Sequence, residues 1–138
     1  MDTRQIERIR VSWTRLAPEA DELARTFYDR LFDLDPRLRD LFAAAEMESQ
    51  SRKFVAMLAE LVRLMQQPED MERALAASGR RHYGYGVIST HYRTVGEALL
   101  WALDRVAGEE GLDPETREAW AEAYTRMASV MQRSARPG

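Results

Sequence analysis

The 138-residue sequence predicts an all-α domain of six or seven helices. Apolar residues recur three and four positions apart in most stretches, which is the period of an amphipathic helix. The alternating runs that indicate strands are essentially absent. Prolines and glycines divide the chain into segments of helix length with short joints. We expect a single domain over residues 1–138, because one core suits a chain of this length.

Apolar stripes and prolines mark the first two helices. The stripe of the first helix, with spacings of 3, 4 and 3, is Ile6, Ile9, Trp13 and Leu16. Pro18 predicts the start of a second helix, where its missing N–H costs nothing. This helix carries Leu23, Phe27 and Leu31 on one face. We expect it to stop before Asp35, with a short helical turn from Pro36 to Phe42.

The middle of the chain predicts two further helices. One runs from about Glu48 to Gln66, with an inner face of Phe54, Met57 or Leu58, Leu61 and Met65. The next starts at Pro68 and reaches His82, where Gly84 and Gly86 are expected to break it. Residues 87–90 are predicted to be a connector.

The last two helices are bounded by glycines and by a cap. A stripe of Val95, Leu99, Ala102 or Leu103, and Val106 predicts a fifth helix that ends near Gly108 and Gly111. Asp113 and Pro114 are typical of an N-cap followed by a first helical residue. The stripe of the final helix is Trp120, Tyr124, Met127 and Met131. The unequal helix lengths and the glycines after His82 do not fit a simple up-and-down bundle.

Composition excludes several classes of protein. A formal net charge of −3 argues against nucleic acid as a partner, because phosphate binding needs a dense basic surface. The absence of cysteine excludes disulfides, thiolate metal sites and cysteine nucleophiles. The first residues do not form a signal peptide, and no stretch approaches the roughly 18 apolar residues of a membrane span. The cytoplasm is the expected compartment.

The candidate chemistry centres on two histidines, His82 and His91. A pair of histidines cannot form the usual multi-histidine zinc site, and there is no Gly-x-Ser-x-Gly elbow or phosphate loop. His91 is interpreted as structural or solvent-facing. On the residues alone, His82 at a helix end is also more typical of a structural residue than of a ligand.

Ordered motifs around His82 change that interpretation. Segments that resemble bacterial globins, in order along nearly the whole chain, are 27–32, 35–36, 41–42, 50–53, 79–82, 85–87, 91–92, 95–100, 119–120 and 123–124. They resemble the second helix and its corner, the distal helix, the proximal stretch and the last helix of that family. The similarity is to single-domain bacterial haemoglobins and to the globin portion of flavohaemoglobins.

This resemblance implies a globin fold of six to eight helices that sandwich a haem b. It implies that His82 is the proximal ligand of the iron, as in globins generally. A ligating imidazole needs an acceptor for its other N–H, and the carbonyl of Ser78, one turn earlier, is the expected acceptor. The Ser78 hydroxyl is the second candidate.

The resemblance also implies a set of residues around the haem. Tyr28 and Gln50 are expected to face the sixth coordination site, where hydrogen-bond donors stabilise bound O₂; a surface position remains the alternative for Gln50. Phe42 is expected to lie against the porphyrin, or to be a core residue. Phe54 stands where the family usually has a smaller aliphatic residue, and its ring should narrow the space over the iron.

Further residues complete this predicted pocket. Its remaining lining residues are Val87, Tyr92, Val95 and Leu99. Lys53 and Arg81 are candidates for the haem propionates, with a plain surface role as the alternative.

One departure from the family concerns Tyr92. In flavohaemoglobin-like globins the equivalent tyrosine works with a carboxylate of the last helix, which makes the proximal imidazole more anionic. The place of that acid falls near Ala135, and no residue after Met131 is acidic. A less anionic imidazole favours reversible O₂ binding over O–O cleavage.

The expected function is therefore reversible binding of O₂, and of NO, for oxygen storage or transport; CO is a further diatomic ligand. The chain ends soon after the last helix, so we expect no flavin or nicotinamide domain in it. The alternative is a nitric-oxide dioxygenase that depends on an external reductase. A haem-free helical regulatory or scaffold domain is the third hypothesis.

Overall fold

Six α-helices make up nearly all of the structure, a computed structural model that describes residues 1–42, 46–84 and 86–135, the side chain of Ala135 excepted. They are α1 (Thr3–Leu16), α2 (Ala20–Leu34), α3 (Met47–Leu64), α4 (Pro68–Gly84), α5 (Ser89–Val106) and α6 (Pro114–Ala135). Two short 3-10 turns cover Ala17–Glu19 and Pro36–Phe42. These described ranges contain no strand, so the all-α prediction is confirmed. None of the described helices is long and apolar enough to cross a membrane.

Capping side chains set several helix boundaries. Asp2 begins α1, where its carboxylate accepts a hydrogen bond from the Gln5 N–H at 2.8 Å. At the start of α6, Asp113 accepts from the Thr116 N–H at 3.0 Å and from its hydroxyl at 2.7 Å. The predicted start of α6 is therefore confirmed, together with its mechanism.

Pro18 does not open α2 directly. It lies in the Ala17–Glu19 turn, and α2 begins two residues after it. The reason is local, because a proline that is favourable at the first helical position is equally favourable in a 3-10 turn. The other predicted boundaries agree with the structure within two residues, the ordinary uncertainty at frayed helix ends.

The core forms where helices distant in the chain pack together. α6 packs against α4 and α1, and α2 packs against α5. Trp120 of α6 is 1% exposed, and its indole N–H donates to the Ser12 hydroxyl of α1 at 2.9 Å. The consecutive helices α3 and α4 pack mainly against different partners, α3 against α2 and α4 against α6. The predicted distal residues Tyr28 and Gln50 therefore lie on the packed helices α2 and α3, and His82 lies on α4, which packs against α6.

Candidate functional site

His82 lies near the end of α4, where its ring is held by the preceding turn. Its Nδ1 is 2.7 Å from the Ser78 carbonyl oxygen and 3.3 Å from the Ser78 hydroxyl. A carbonyl oxygen only accepts, so Nδ1 carries the proton and donates it to Ser78. In the neutral form of the ring the lone pair then lies on Nε2, which is the form in which an imidazole binds a metal ion. The hydrogen bond expected from the sequence is present.

Tyr28 lies on α2, which packs against α3 and α5, and is 6% exposed. Burial raises the pKa of its phenol, and a hydrogen bond with the half-buried Gln50 side chain lowers that pKa in part. Gln50 lies in the first turn of α3, so the two predicted distal donors are in contact. The phenol is therefore neutral near pH 7 and able to donate a hydrogen bond.

Aromatic rings enclose Tyr28 on several sides. The Phe54 ring lies parallel to the Phe27 ring, with centroids 4.2 Å apart and an angle of 10° between the planes. Phe54 also meets Tyr28 edge-on at 5.7 Å, and Phe42 meets it edge-on at 5.6 Å. These are favoured aromatic geometries. Because the Phe54 ring is stacked on the buried Phe27 ring, it is held in position next to Tyr28.

The remaining predicted pocket residues lie on α3, α4 and α5 and in the connector before α5. Leu99 is buried on α5, Val95 is half-buried one turn earlier, and Val87 is half-buried in the connector before that helix. Lys53 and Arg81 are exposed on α3 and α4. Neither cation pairs with a carboxylate in the described parts of the chain.

Tyr124 has a role that sequence analysis missed. Its hydroxyl donates to the main-chain carbonyl of Tyr92 at 2.6 Å, and so joins α6 to the start of α5. Burial raises the pKa of both tyrosines, and the neighbouring Tyr92 phenol raises that of Tyr124 further. The available signal was that a buried tyrosine usually finds a hydrogen-bond partner. The position near Ala135, where the family places an acid, involves a side chain outside the described set.

His91 has a structural role, as expected. Its Nδ1 accepts a hydrogen bond from the Ile88 N–H at 3.0 Å and caps α5. The two histidines thus differ in chemistry, because Nδ1 is an acceptor in His91 and a donor in His82.

The arrangement of the helices is that of a known family. The sequence model of the Globin family matches residues 25–131, more than three quarters of the chain. The chain belongs to the globin family. Membership implies haem binding.

Relatives and solved structures place this globin among bacterial ones. It is 30% identical over 118 residues to flavohemoproteins of Bordetella pertussis and Deinococcus radiodurans, a match that covers 84% of this chain and 29% of each relative. The globin thus spans less than a third of the length of these flavohemoproteins.

Two solved structures have the same fold. A bacterial globin from Campylobacter jejuni superposes with a TM-score of 0.84 at 23% identity, covering 97% of this chain and 96% of that one. An engineered carbene transferase, derived from a protein of Rhodothermus marinus assigned as a nitric oxide dioxygenase, gives 0.85 at 25% identity and covers 98% and 93%.

The residues of this globin fit a haem. His82 has the tautomer of an axial ligand, and apolar side chains only partly buried by the core include Phe42, Phe54, Val87 and Val95. Such side chains offer the contacts that a flat apolar ring needs, and Lys53 and Arg81 offer exposed cations for carboxylates. In the described ranges no three His, Cys, Asp or Glu side chains are placed to hold a metal ion by themselves. The donor set matches a metal held by one imidazole.

Proposed function

We propose that this globin binds O₂, and also NO, reversibly at the iron of a haem b whose axial ligand is His82. The observation that carries the proposal is the 2.7 Å hydrogen bond from His82 Nδ1 to the Ser78 carbonyl, which puts the ring lone pair on Nε2. When bound, ferrous haem supplies an iron with a coordination position for diatomic gases such as O₂, NO and CO. The single domain over residues 1–138 and the cytoplasmic location stay predictions from the sequence.

The other residues hold the haem in this proposal. Its apolar faces would contact Phe42, Phe54, Val87, Tyr92, Val95 and Leu99. Lys53 and Arg81 would pair with the propionates, since both cations are exposed and neither has a carboxylate partner in the described ranges.

Removal of His82 tests the axial assignment. Purified protein is expected to show the Soret absorption of haem, and His82→Ala should lose it or shift it. His91→Ala is the matched control, because that ring caps α5 and should leave the Soret band unchanged. An unaltered spectrum in His82→Ala would contradict the assignment, and a wild-type protein that takes up no haem would favour the haem-free scaffold.

Tyr28 and Gln50 are proposed to donate hydrogen bonds to the bound gas. Each hydrogen bond to an oxygen that carries partial negative charge is worth about 1–1.5 kcal/mol, which slows O₂ release roughly tenfold. Stopped-flow measurement should therefore show faster O₂ dissociation in Tyr28→Phe and in Gln50→Leu. Unchanged rates in both variants would disprove the distal donors.

The balance between storage and catalysis depends on the proximal side. No acidic residue follows Met131 in the sequence, so the carboxylate that the family pairs with the tyrosine at position 92 has no evident counterpart. A neutral imidazole is the form that favours reversible binding over O–O cleavage. This supports oxygen storage or transport as the first function.

Nitric-oxide dioxygenation is the second candidate. It is supported by the similarity to flavohemoproteins and to the Rhodothermus marinus protein. Conversion of NO and O₂ to nitrate consumes one electron per nitrate, which an external reductase would have to supply. Nitrate formed over many turnovers with an added flavin reductase and NADH would rank this function first, and a single turnover would leave storage ahead.

A further inference from the structure

Gly79 lies at the point where α4 crosses α6, buried against the α6 main chain. A Cβ atom placed on Gly79 would be 2.7 Å from Cα and 2.8 Å from the carbonyl carbon of Met131, and closer still to its carbonyl oxygen. Real Cβ atoms essentially never come within 3.0 Å of another heavy atom in this way. Only glycine therefore permits the observed separation of the two helices.

The same residue is covalently tied to the hydrogen bond of His82. The acceptor of the His82 Nδ1–H is the carbonyl oxygen of Ser78, which belongs to the peptide unit that joins Ser78 to Gly79. That unit is planar and rigid, so the oxygen moves with the Gly79 backbone. Ser78 is 4% exposed, so the packed atoms around it restrict its movement.

We propose that Gly79 is a positioning residue for His82, because its contact with the Met131 backbone fixes the Ser78 carbonyl that orients the imidazole. A Cβ here cannot be relieved by a side-chain rotation, since the atoms it meets are main chain. The clash bears on the Gly79 backbone itself, so α4 must distort locally at this residue. Such a distortion turns the Ser78–Gly79 peptide unit and misaligns the hydrogen bond to His82. The inference rests on the proposed role of His82 as ligand.

Gly84 provides a matched control on the same helix. It follows His82 by two residues, and a Cβ placed there meets nothing within 4 Å. Gly79→Ala and Gly84→Ala are thus the same chemical change on either side of His82, with and without the clash. Ile9→Ala leaves a cavity beside α1, where Ile9 is fully buried. This variant is the control for an effect that comes from lower stability alone.

The first measurement uses the haem-free protein and ¹⁵N NMR of the His82 ring. We expect the tautomer with Nδ1 protonated in wild type, in Gly84→Ala and in Ile9→Ala. Gly79→Ala should instead show a mixture of the tautomers protonated on Nδ1 and on Nε2. If Gly79→Ala does not fold in buffer, the spectra are recorded in trimethylamine N-oxide, which favours the compact state. A wild-type ring protonated on Nε2, or an unchanged tautomer in Gly79→Ala, would overturn the inference.

The second measurement uses the haem-loaded protein and the iron–histidine stretching band in resonance Raman spectra. Gly79→Ala should shift or broaden this band, and both control variants should retain it. A band that is unchanged in Gly79→Ala contradicts the inference while leaving the proposed function intact. A wild-type protein without the band contradicts the proposed function, and the NMR result then decides the role of Gly79 separately.

Discussion

At the scale of single residues, the distal side is defined by what surrounds one phenol. Tyr28 is buried, contacts Gln50, and meets the rings of Phe42 and Phe54 edge-on. Burial makes the phenol a weaker acid, so it keeps its proton and can donate a hydrogen bond.

Phe54 is expected to limit the size of ligand that reaches Tyr28. Phe54→Leu removes a ring that is stacked on Phe27 at 4.2 Å, and so should open space beside the phenol. Butyl isocyanide should then bind severalfold more tightly relative to CO. The exposed α3 variant Ala56→Leu should keep the wild-type ratio. An equal ratio in Phe54→Leu would show that the ring does not border the ligand.

Two hydrogen bonds show what the sequence can and cannot predict about single residues. The Ser78 acceptor followed from its position one turn before His82, because helix geometry fixes which carbonyl lies there. The bond from Tyr124 to the Tyr92 carbonyl joins residues 32 positions apart. Such a contact depends on how α5 and α6 pack, and a local sequence pattern does not predict that packing.

At the scale of elements, sequence predicted the helices and missed how closely they approach. Apolar stripes indicate which face of a helix is buried, and Asp113 indicated where α6 starts. Stripes and caps do not give the distance between the axes of two packed helices. Gly79 and Gly96 set that distance at two helix crossings. The sequence alone does not distinguish a glycine at such a crossing from a glycine in a turn.

Gly96 is expected to tolerate no side chain. A Cβ on this residue would be 2.7 Å from Cε2 of Tyr124, whose ring is held by its bond to the Tyr92 carbonyl. Overpacking of this kind costs about 1–3 kcal/mol of the free energy of unfolding. Urea denaturation of Gly96→Ala should show that loss, whereas Gly84→Ala should be neutral or slightly stabilising. Equal stabilities of the two variants would mean that the Tyr124 ring can move aside.

At the scale of the whole molecule, buried phenols couple stability to alkaline pH. Burial raises the folded-state pKa of Tyr28, Tyr92 and Tyr124 above the ordinary tyrosine value. A raised pKa means that the folded state keeps its proton while the unfolded state loses it. The stabilising effect is complete below about pH 10 and is lost as the pH rises toward the folded-state pKa.

Tyr124→Phe tests this coupling. For each buried phenol the free energy of unfolding should fall by about 1.4 kcal/mol per pH unit above pH 10. The variant lacks the hydrogen bond to the Tyr92 carbonyl, so it should be less stable than wild type at pH 8. Because it also lacks one buried phenol, its stability should fall less steeply as the pH rises. Tyr83→Phe, which is 55% exposed, is the control and should retain the wild-type slope. Urea denaturation from pH 8 to 11 measures both slopes.

The dependence of α1 on α6 has a consequence for synthesis on the ribosome. α1 packs most extensively against α6, where Trp120 is the buried partner of Ser12 and Glu122 is the partner of Gln5. The first helix therefore completes its packing only when the last helix has been made. At about 5–20 residues per second, α1 emerges several seconds before α6 is available. The part of its apolar stripe that α6 covers stays exposed during that interval. Nascent chains stalled before Pro114 should therefore recruit chaperones more strongly than those released after Ala135.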